Sequence, residues 1–264
     1  MKIFVNITSY LDKGLVATLE DLFRKAYRPD ELRVVVINKA CKNDTLGVNF
    51  PELEVYNSPL DESPIESNLK GQSKIKDEKI YFQCDPHSRF VEGWDTFIRE
   101  TVKPKILFNP PTMSFEYRDG LAFLNADPIC FQIHEFNPKD IAVTYGIKCA
   151  EYREKAFFCS NCIFCYTDWL KEVPIDKRIY NWGDEVDRSI RTLMAGWKIY
   201  NTSPILWHDW KGVGEGRRGG RVRKGHEKEN EASYMVLWNK LFGVEKELPW
   251  DLKFYENEMK RLKI

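Results

Sequence analysis

The strongest constraint on the fold is a continuous apolar run near the N-terminus, LRVVVI at residues 32–37. A strand of this composition must be buried on both faces, which is typical of a parallel sheet covered by helices. A second apolar segment, KIFVNI at residues 2–7, predicts a neighbouring strand. Between them a helix is predicted by apolar residues at helical spacing, namely Leu15, Leu19, Leu22, Phe23 and Ala26. Strand, helix and strand with short connections predict an α/β fold.

The rest of the pattern predicts a single domain over residues 1–264. The polar segment 51–79, with Pro59 and Pro64, predicts a long loop. Strand-like runs follow at residues 79–84, 105–108, 121–124, 129–133 and 156–166, and their order indicates some antiparallel pairs. A helix is expected from about residue 185, and C-terminal helices over about 229–264. The apolar face of the latter is formed by Tyr234, Leu237, Trp238 and Leu241.

Composition excludes a partner that is attracted by overall charge. Lys plus Arg and Asp plus Glu number 40 each, so no net field draws the chain to nucleic acid or to an anionic membrane. The first apolar run is too short for a signal peptide, and no segment approaches the roughly 18 apolar residues of a membrane span. Seven cysteines without a secretory signal favour free thiols in a reducing compartment. We therefore expect a soluble, cytoplasmic protein, and leave its oligomeric state open.

The segment YFQCDPHSRF at residues 81–90 carries the first candidate site. Asp85 and His87 stand two apart where a buried strand ends, and such strand ends are where α/β sheets collect ligands. Residues two apart point to the same side, so one carboxylate and one imidazole could hold a single ion. These ligands with open positions suit Mn²⁺ or Mg²⁺ bound to phosphates. A plain turn, with Asp85 as a backbone cap and His87 exposed, explains the segment equally well.

The second candidate is the acidic cluster NWGDEVDR at residues 181–188, at the predicted start of a helix. Acids in this position cap free N–H groups and complement the helix dipole, which accounts for one or two of them. Trp182 and Gly183 come directly before Asp184 and Glu185. An aromatic face can stack on a sugar ring, and a glycine lets the backbone approach a ligand.

Two further segments carry polar or charged groups. His208, in the sequence ILWHDW, follows an apolar strand, and taken alone it is typical of a core residue. Residues 211–228, KGVGEGRRGGRVRKGHEK, are rich in glycine and arginine and predict a flexible loop with affinity for phosphate oxygens. A solvated linker is the alternative for that loop.

Cys159, Cys162 and Cys165 have a spacing that invites a zinc or iron–sulfur interpretation. Residues three apart in a strand point to opposite faces, however, and a second cysteine pair is missing nearby in the sequence. Buried free cysteines are the favoured interpretation.

Taken in order, these motifs resemble a known family. IFVNITSYLD, YFQCDPHSRFVEGWD, CSNCIFCYTDWLKEVPID, YNWGDEVDRSIRTLMAGWKIY and ILWHDW are similar to the GlcNAc-transferase family that includes the enzyme glycosylating hydroxyproline on Skp1. The order Asp-x-His, acidic helix and His is also similar to the polypeptide GalNAc-transferases. The resemblance covers most of residues 1–210.

This resemblance implies a GT-A nucleotide-sugar-binding fold, a retaining mechanism and a UDP-sugar donor, usually UDP-GlcNAc. Asp85, His87 and His208 then become the ligands of Mn²⁺ or Mg²⁺, and Asp184 and Glu185 the acidic, catalytic position. Residues that would face the nucleotide or its diphosphate are Thr8, Ser9, Tyr10, Asp12, Arg217, Arg218, Arg221 and Arg223. Substrate contacts are assigned to Trp182, Gly183, Trp94 and Arg89.

The resemblance leaves the substrates open. Residues 67–79, SNLKGQSKIKDEK, lack the arginine that relatives carry before the metal motif, so the donor sugar is undecided. The acceptor hydroxyl could belong to a protein, a glycan or a hydroxymethylated base in DNA. A non-catalytic nucleic-acid-binding module and a cysteine-based metal or redox module are the rival classes; the former predicts salt-dependent binding without any UDP-sugar.

Overall fold

The computed structural model describes residues 1–39, 47–118, 121–124, 127–137, 141–149, 152–180, 183–210, 227–242 and 252–262. Its strands are β1 (Ile3–Tyr10), β2 (Leu32–Lys39), β3 (Leu53–Asn57), β4 (Ile80–Cys84), β5 (Ser88–Phe90), β6 (Ile106–Phe108), β7 (Met113–Arg118), β8 (Leu121–Leu124), β9 (Ile129–Asn137), β10 (Ile141–Lys148), β11 (Glu154–Lys155), β12 (Cys162–Tyr166), β13 (Lys198–Tyr200) and β14 (Leu206–His208). Its helices are α1 (Leu15–Arg24), α2 (Pro64–Gln72), α3 (Trp94–Thr101), α4 (Asp168–Glu172), α5 (Asp184–Met194), α6 (Glu227–Phe242) and α7 (Leu252–Arg261), with a 3₁₀ turn at Pro29–Glu31.

An eight-stranded mixed sheet forms the centre, in the order β11-β13-β6-β12-β4-β1-β2-β3. β1 pairs in parallel with β2 and β4, and β2 pairs in parallel with β3. β12 runs antiparallel to β4, as the mixed order of strand-like runs predicted. The carboxyl ends of β1 and β4 therefore lie side by side, which places the end of the first strand next to Asp85.

Both faces of β2 are covered, which is the physical reason for its unbroken apolar run. Val34 and Val36 pack in one buried cluster with the apolar face of α1, whereas Val35 and Ile37 pack in another with Val186 of α5. All four β2 residues are fully buried. The predicted α/β architecture is confirmed.

The expectation of a long loop over residues 51–79 is wrong. β3 extends the parallel sheet there, and α2 begins at Pro64 behind a capping box: Ser63 Oγ accepts the N–H of Glu66, and the Glu66 carboxylate accepts the N–H of Ser63. Proline suits the first helical position because its missing N–H would have no intrahelical partner there. The motif S-P-I-E was readable in the sequence as a helix start.

A second sheet, in the order β5-β14-β7-β8, positions the metal motif. β14 pairs antiparallel with β5, with His208 opposite Ser88. This pairing brings the late segment LWH beside the segment that follows Asp85.

The cysteines of the described residues are of two kinds, one disulfide-bonded pair and four free thiols. β9 and β10 form a separate antiparallel hairpin, and Cys130 of β9 is disulfide-bonded to Cys149. Cys84, Cys159, Cys162 and Cys165 are free thiols. The expectation that most thiols are free therefore holds for the described cysteines, and the Cys130–Cys149 pair is the exception.

The C-terminal helices α6 and α7 fall where C-terminal helices were predicted, with α6 starting slightly earlier than expected. Leu237 is fully buried, and Tyr234 and Trp238 pack against the same cluster. Among the described helices, none is both long enough and apolar enough to cross a membrane.

Candidate active site

Three side chains far apart in the sequence converge at a candidate metal centre. Asp85 follows β4, His87 precedes β5, and His208 ends β14. One ligand atom from each lies within 4.8 Å of the other two. Asp85 Oδ2 is 2.8 Å from His208 Nε2 and 3.6 Å from His87 Nε2. The predicted trio is thus brought together by the pairing of β14 with β5.

The chemistry of this trio suits a divalent cation with open coordination positions. Asp85 supplies a hard oxygen, and the two histidines supply Nε2 atoms that face it. The side chain of His208 is 5% exposed, whereas that of Asp85 is 39% exposed. A ligand therefore reaches the cluster from the side of Asp85, and the buried histidine closes the other side.

Asp12 holds His87 from behind, a role that differs from the predicted nucleotide contact. Asp12 Oδ2 lies 2.9 Å from His87 Nδ1, and Oδ1 accepts the N–H of Gly14 at 2.8 Å. A carboxylate at Nδ1 keeps the imidazole proton there, which leaves the Nε2 lone pair free for a metal. A Cβ at Gly14 would lie 3.0 Å from Asp12 Oδ1 and 3.3 Å from His87 Cβ, so a larger residue there would crowd this contact.

We expect Asp12→Asn to weaken Mn²⁺ binding about 10- to 100-fold, because the amide no longer fixes the proton and orientation of His87. Isothermal titration of the purified protein with Mn²⁺ measures the change directly. Asp61→Asn, at an exposed acid on the surface, is the matched control. An Asp12→Asn protein that binds Mn²⁺ as tightly as this control would contradict the role.

Glu185, in the first turn of α5, is a partly buried carboxylate with two donors from one residue. Its Oε1 accepts the backbone N–H of Ser160 at 2.5 Å and the Ser160 hydroxyl at 2.7 Å. Burial raises the pKa of Glu185, the nearby charge of Asp85 raises it further, and the hydrogen bonds from Ser160 act in the opposite direction. Glu185 therefore lies within electrostatic range of the metal motif.

Asp184 points into the protein interior. It is 5% exposed, its Oδ2 lies 3.8 Å from Arg188 Nη1, and its Oδ1 has no hydrogen-bond partner among the described residues. Arg188 is itself buried, with its guanidinium 4.0 Å from the ring centroid of Trp169. Burial raises the pKa of Asp184 to about 6. The structure thus separates two adjacent acids that the sequence left equivalent.

Two predicted substrate contacts have structural roles instead. Trp94 is fully buried among Phe82 and Phe90, and its Nε1 donates to the carbonyl of Leu22 at 3.0 Å. It cannot touch a substrate, so that assignment is wrong. Gly183 has a φ of +100°, and a Cβ there would come within 2.0 Å of Leu237 on α6. The glycine is required by helix packing rather than by an approaching ligand.

The other predicted contacts are placed as follows. Thr8 and Tyr10 are partly exposed at the end of β1, whereas Ser9 is buried and faces the α1 side. The Arg89 guanidinium lies 5.2 Å from the ring centroid of Phe115 and donates to the carbonyl of Ser88 at 2.7 Å. Trp182, Arg217, Arg218, Arg221 and Arg223 lie outside the described residues. The assignments of Thr8, Tyr10 and Arg89 stay predictions.

The cysteine motif does not form a metal centre in the described part of the chain. Cys162 and Cys165 are buried strand residues, and the candidate metal cluster there is Asp85, His87 and His208. Burial raises the pKa of the Cys159 and Cys162 thiols well above the usual range, which disfavours the thiolate that zinc binds.

Comparison with known families decides the class of this site. The family described as Glycosyltransferase (GlcNAc) matches residues 2–75 and 71–217. The chain belongs to this glycosyltransferase family. The resemblance noted in the sequence is confirmed, and the class of nucleic-acid-binding modules without catalysis is disfavoured. In sequence, none of the curated proteins matches this chain.

Solved glycosyltransferase structures share the fold. The GalNAc-T7 structure with UDP, GalNAc and Mn²⁺ aligns at a TM-score of 0.65 and 12% identity, covering 99% of this chain and 55% of that chain. TarS of S. aureus aligns at 0.56 and 12% identity, covering 79% of this chain and 37% of that chain. The chain therefore has the GT-A fold, and it spans about half the length of the GalNAc-T7 chain.

Proposed function

We propose that this protein is a metal-dependent, retaining glycosyltransferase that transfers a sugar, GlcNAc or another hexose or N-acetylhexosamine, from a UDP-sugar to an acceptor hydroxyl on a protein or a glycan. The observation that carries the proposal is the convergence of Asp85, His87 and His208 in a chain of this family. The GalNAc-T7 structure of the same fold contains UDP and Mn²⁺, which supports the choice of donor and metal.

The residues of the cluster fit Mn²⁺ or Mg²⁺ through one carboxylate and two imidazoles. When bound, the cation would act as a Lewis acid on the leaving diphosphate. Asp12 holds the His87 ring so that Nε2 faces Asp85 Oδ2, on the side where a cation would be held. Asp85 lies on the open side of the cluster, where the phosphate oxygens of a donor can approach.

We assign Glu185 as the carboxylate that positions the reacting sugar. Glu185 is partly exposed, and the charge of Asp85 raises its pKa. Asp184, in contrast, is buried beside Arg188. Ser160 holds the Glu185 carboxylate through two hydrogen bonds to Oε1, which limits its rearrangement during the reaction. We assign Thr8 and Tyr10, which are partly exposed at the neighbouring end of β1, to the nucleotide.

A panel of UDP-sugars tests the proposal. UDP-GlcNAc, UDP-GalNAc and UDP-glucose, each with Mn²⁺, are scored for release of UDP, and the best donor is then tried with hydroxyproline peptides, glycans and hydroxymethylated DNA. We expect Mn²⁺-dependent UDP release from at least one donor and transfer to a peptide or glycan. Transfer to DNA alone would replace the acceptor class, and failure to bind UDP with Mn²⁺ would overturn the donor assignment.

Glu185→Gln is expected to reduce kcat for transfer about 100- to 1,000-fold, because a positioned charge in the site is lost. Mn²⁺ binding should persist, since Glu185 is not part of the cluster of Asp85, His87 and His208. Asp184→Asn removes the same charge from the neighbouring residue and is the matched control, with kcat expected within about an order of magnitude of the wild type. If Asp184→Asn lowers kcat more than Glu185→Gln, the two assignments must be exchanged.

A further inference from the structure

A short turn at residues 159–161 joins the acidic helix to the metal motif. Ser160 donates its N–H and its hydroxyl to Glu185, as described above. The carbonyl of Ser160 accepts from Gln83 Nε2 at 3.2 Å, and the carbonyl of Asn161 accepts the N–H of Asp85 at 3.3 Å. The turn therefore touches both Glu185 and the backbone of Asp85, so its position sets the geometry between them.

Asn109, which follows β6, holds this turn with its entire side-chain amide. Oδ1 accepts the backbone N–H of Cys159 at 3.1 Å, and Nδ2 donates to the carbonyls of Cys159 at 2.9 Å and of Cys162 at 2.7 Å. Asn109 is 2% exposed. The Asn109 amide thus hydrogen-bonds the backbone on both sides of Ser160, at Cys159 and at Cys162.

Lys155, on β11, fixes Asn109 in turn. Its ammonium donates to Asn109 Oδ1 at 2.6 Å, and the side chain is buried. Burial lowers the pKa of Lys155 to about 8, which reflects the cost of placing an ammonium there. A bond between this charge and Oδ1 also decides the orientation of the amide, so that Nδ2 must face the two carbonyls.

We propose that Asn109, oriented by Lys155, is a positioning residue for sugar transfer: it fixes the 159–161 turn and thereby the direction of Glu185 relative to Asp85. The inference rests on the proposed function. It concerns the chemical step, because the Asn109 side chain bonds Cys159, Cys162 and Lys155, none of which is a metal ligand, and acts through the backbone of the turn. A misplacement of about 1 Å at a reacting group can cost about 100-fold in rate.

Asn109→Asp is the decisive variant. An aspartate keeps the acceptor for Lys155 and for the N–H of Cys159, but it turns an oxygen toward the carbonyls of Cys159 and Cys162 in place of a donor. The turn should move away from that oxygen. Because Ser160 donates two hydrogen bonds to Glu185, the Glu185 carboxylate should be displaced as well. Lys155→Met is the second variant, because it removes the charge that orients the amide while keeping an apolar stem of similar length.

The variants are compared by kcat and KM with the best UDP-sugar and acceptor, and by Mn²⁺ and UDP affinity from titration. We expect kcat to fall about 100-fold in Asn109→Asp and in Lys155→Met, with KM for the donor and both affinities within about threefold of the wild type. Asn201→Asp is the matched control. Asn201 is also a buried amide, bonded to the backbone N–H of Arg153 and to Cys130 Sγ, and it lies outside the 159–161 turn.

The outcomes separate positioning from general stability. A selective loss of kcat in Asn109→Asp that Asn201→Asp does not share supports the proposal. Wild-type kcat in a folded Asn109→Asp protein, or equal losses of kcat in both variants, overturns it. If Asn109→Asp does not fold, Lys155→Met decides by the same criterion. A wild-type protein that neither binds UDP with Mn²⁺ nor releases UDP from any donor refutes the proposed function instead.

Discussion

An Asp85→Ala protein is expected to lose Mn²⁺ binding and at least about 1,000-fold in transfer rate, since several kcal/mol of charge stabilisation at the leaving diphosphate disappear. Asp85 is the carboxylate between His87 and His208 in the cluster. Its removal leaves two imidazoles, which bind Mn²⁺ poorly without an oxygen ligand. Because its side chain is 39% exposed, the fold should survive the substitution.

Thermal unfolding with and without metal checks this expectation separately from turnover. A hundredfold excess of Mn²⁺ over its Kd should stabilise the wild type by about 2.7 kcal/mol, or about 5–10 °C in Tm. Asp85→Ala should show no such shift, whereas Asp30→Ala, at an exposed acid on the 3₁₀ turn, should keep it. A metal-dependent shift that persists in Asp85→Ala would remove Asp85 from the metal centre.

Lys240→Met should destabilise the protein by about 3 kcal/mol, the lower part of the range for breaking a buried ion pair. Lys240 Nζ lies 2.6 Å from Asp176 Oδ2 and 2.8 Å from Asp187 Oδ1, and its side chain is fully buried. Removing the ammonium leaves both carboxylates in the interior with less compensation. The loss stays at the lower end because Arg178 still pairs with Asp176, and Arg191 with Asp187.

Urea unfolding measures this change as the free energy of unfolding. Lys228→Met, at an exposed lysine on the same helix α6, is the matched control and should change stability by less than about 0.5 kcal/mol. A loss below about 1 kcal/mol for Lys240→Met would mean that α6 is not held to α5 by this ion pair. The interaction matters for the site because α6 also packs its Leu237 against Gly183, directly before Asp184.

Local sequence patterns indicated two of the three candidate metal ligands, Asp85 and His87, but not His208. Asp85 and His87 were readable because alternation along an extended segment places them on one side. His208 looked like a core residue by itself, and it joined the trio only through the order of motifs in the family. The structure supplies the physical reason, which is the antiparallel pairing of β14 with β5.

Other site residues could not be assigned without the tertiary structure. Asp12 was placed at the correct strand end but given to the nucleotide, because the sequence does not show that His87 lies 2.9 Å away. Asn109 and Lys155 carry no motif. Asn109 acts through hydrogen bonds to a turn about 50 residues later in the chain, and Lys155 through a hydrogen bond back to Asn109. Trp94 looked like a ligand contact because an aromatic residue near a motif has the same signature in the core and at a surface.

The sequence by itself determined the α/β class, the covered parallel strands and the placement of Asp85 and His87 on one side of the segment after β4, because burial and side-chain alternation act over a few residues. Only the tertiary structure decided which acid faces the site, which carboxylate orients His87, and which buried amide holds Ser160. Those choices depend on distances between strands that are far apart in the chain, and strand register, rather than local composition, sets such distances.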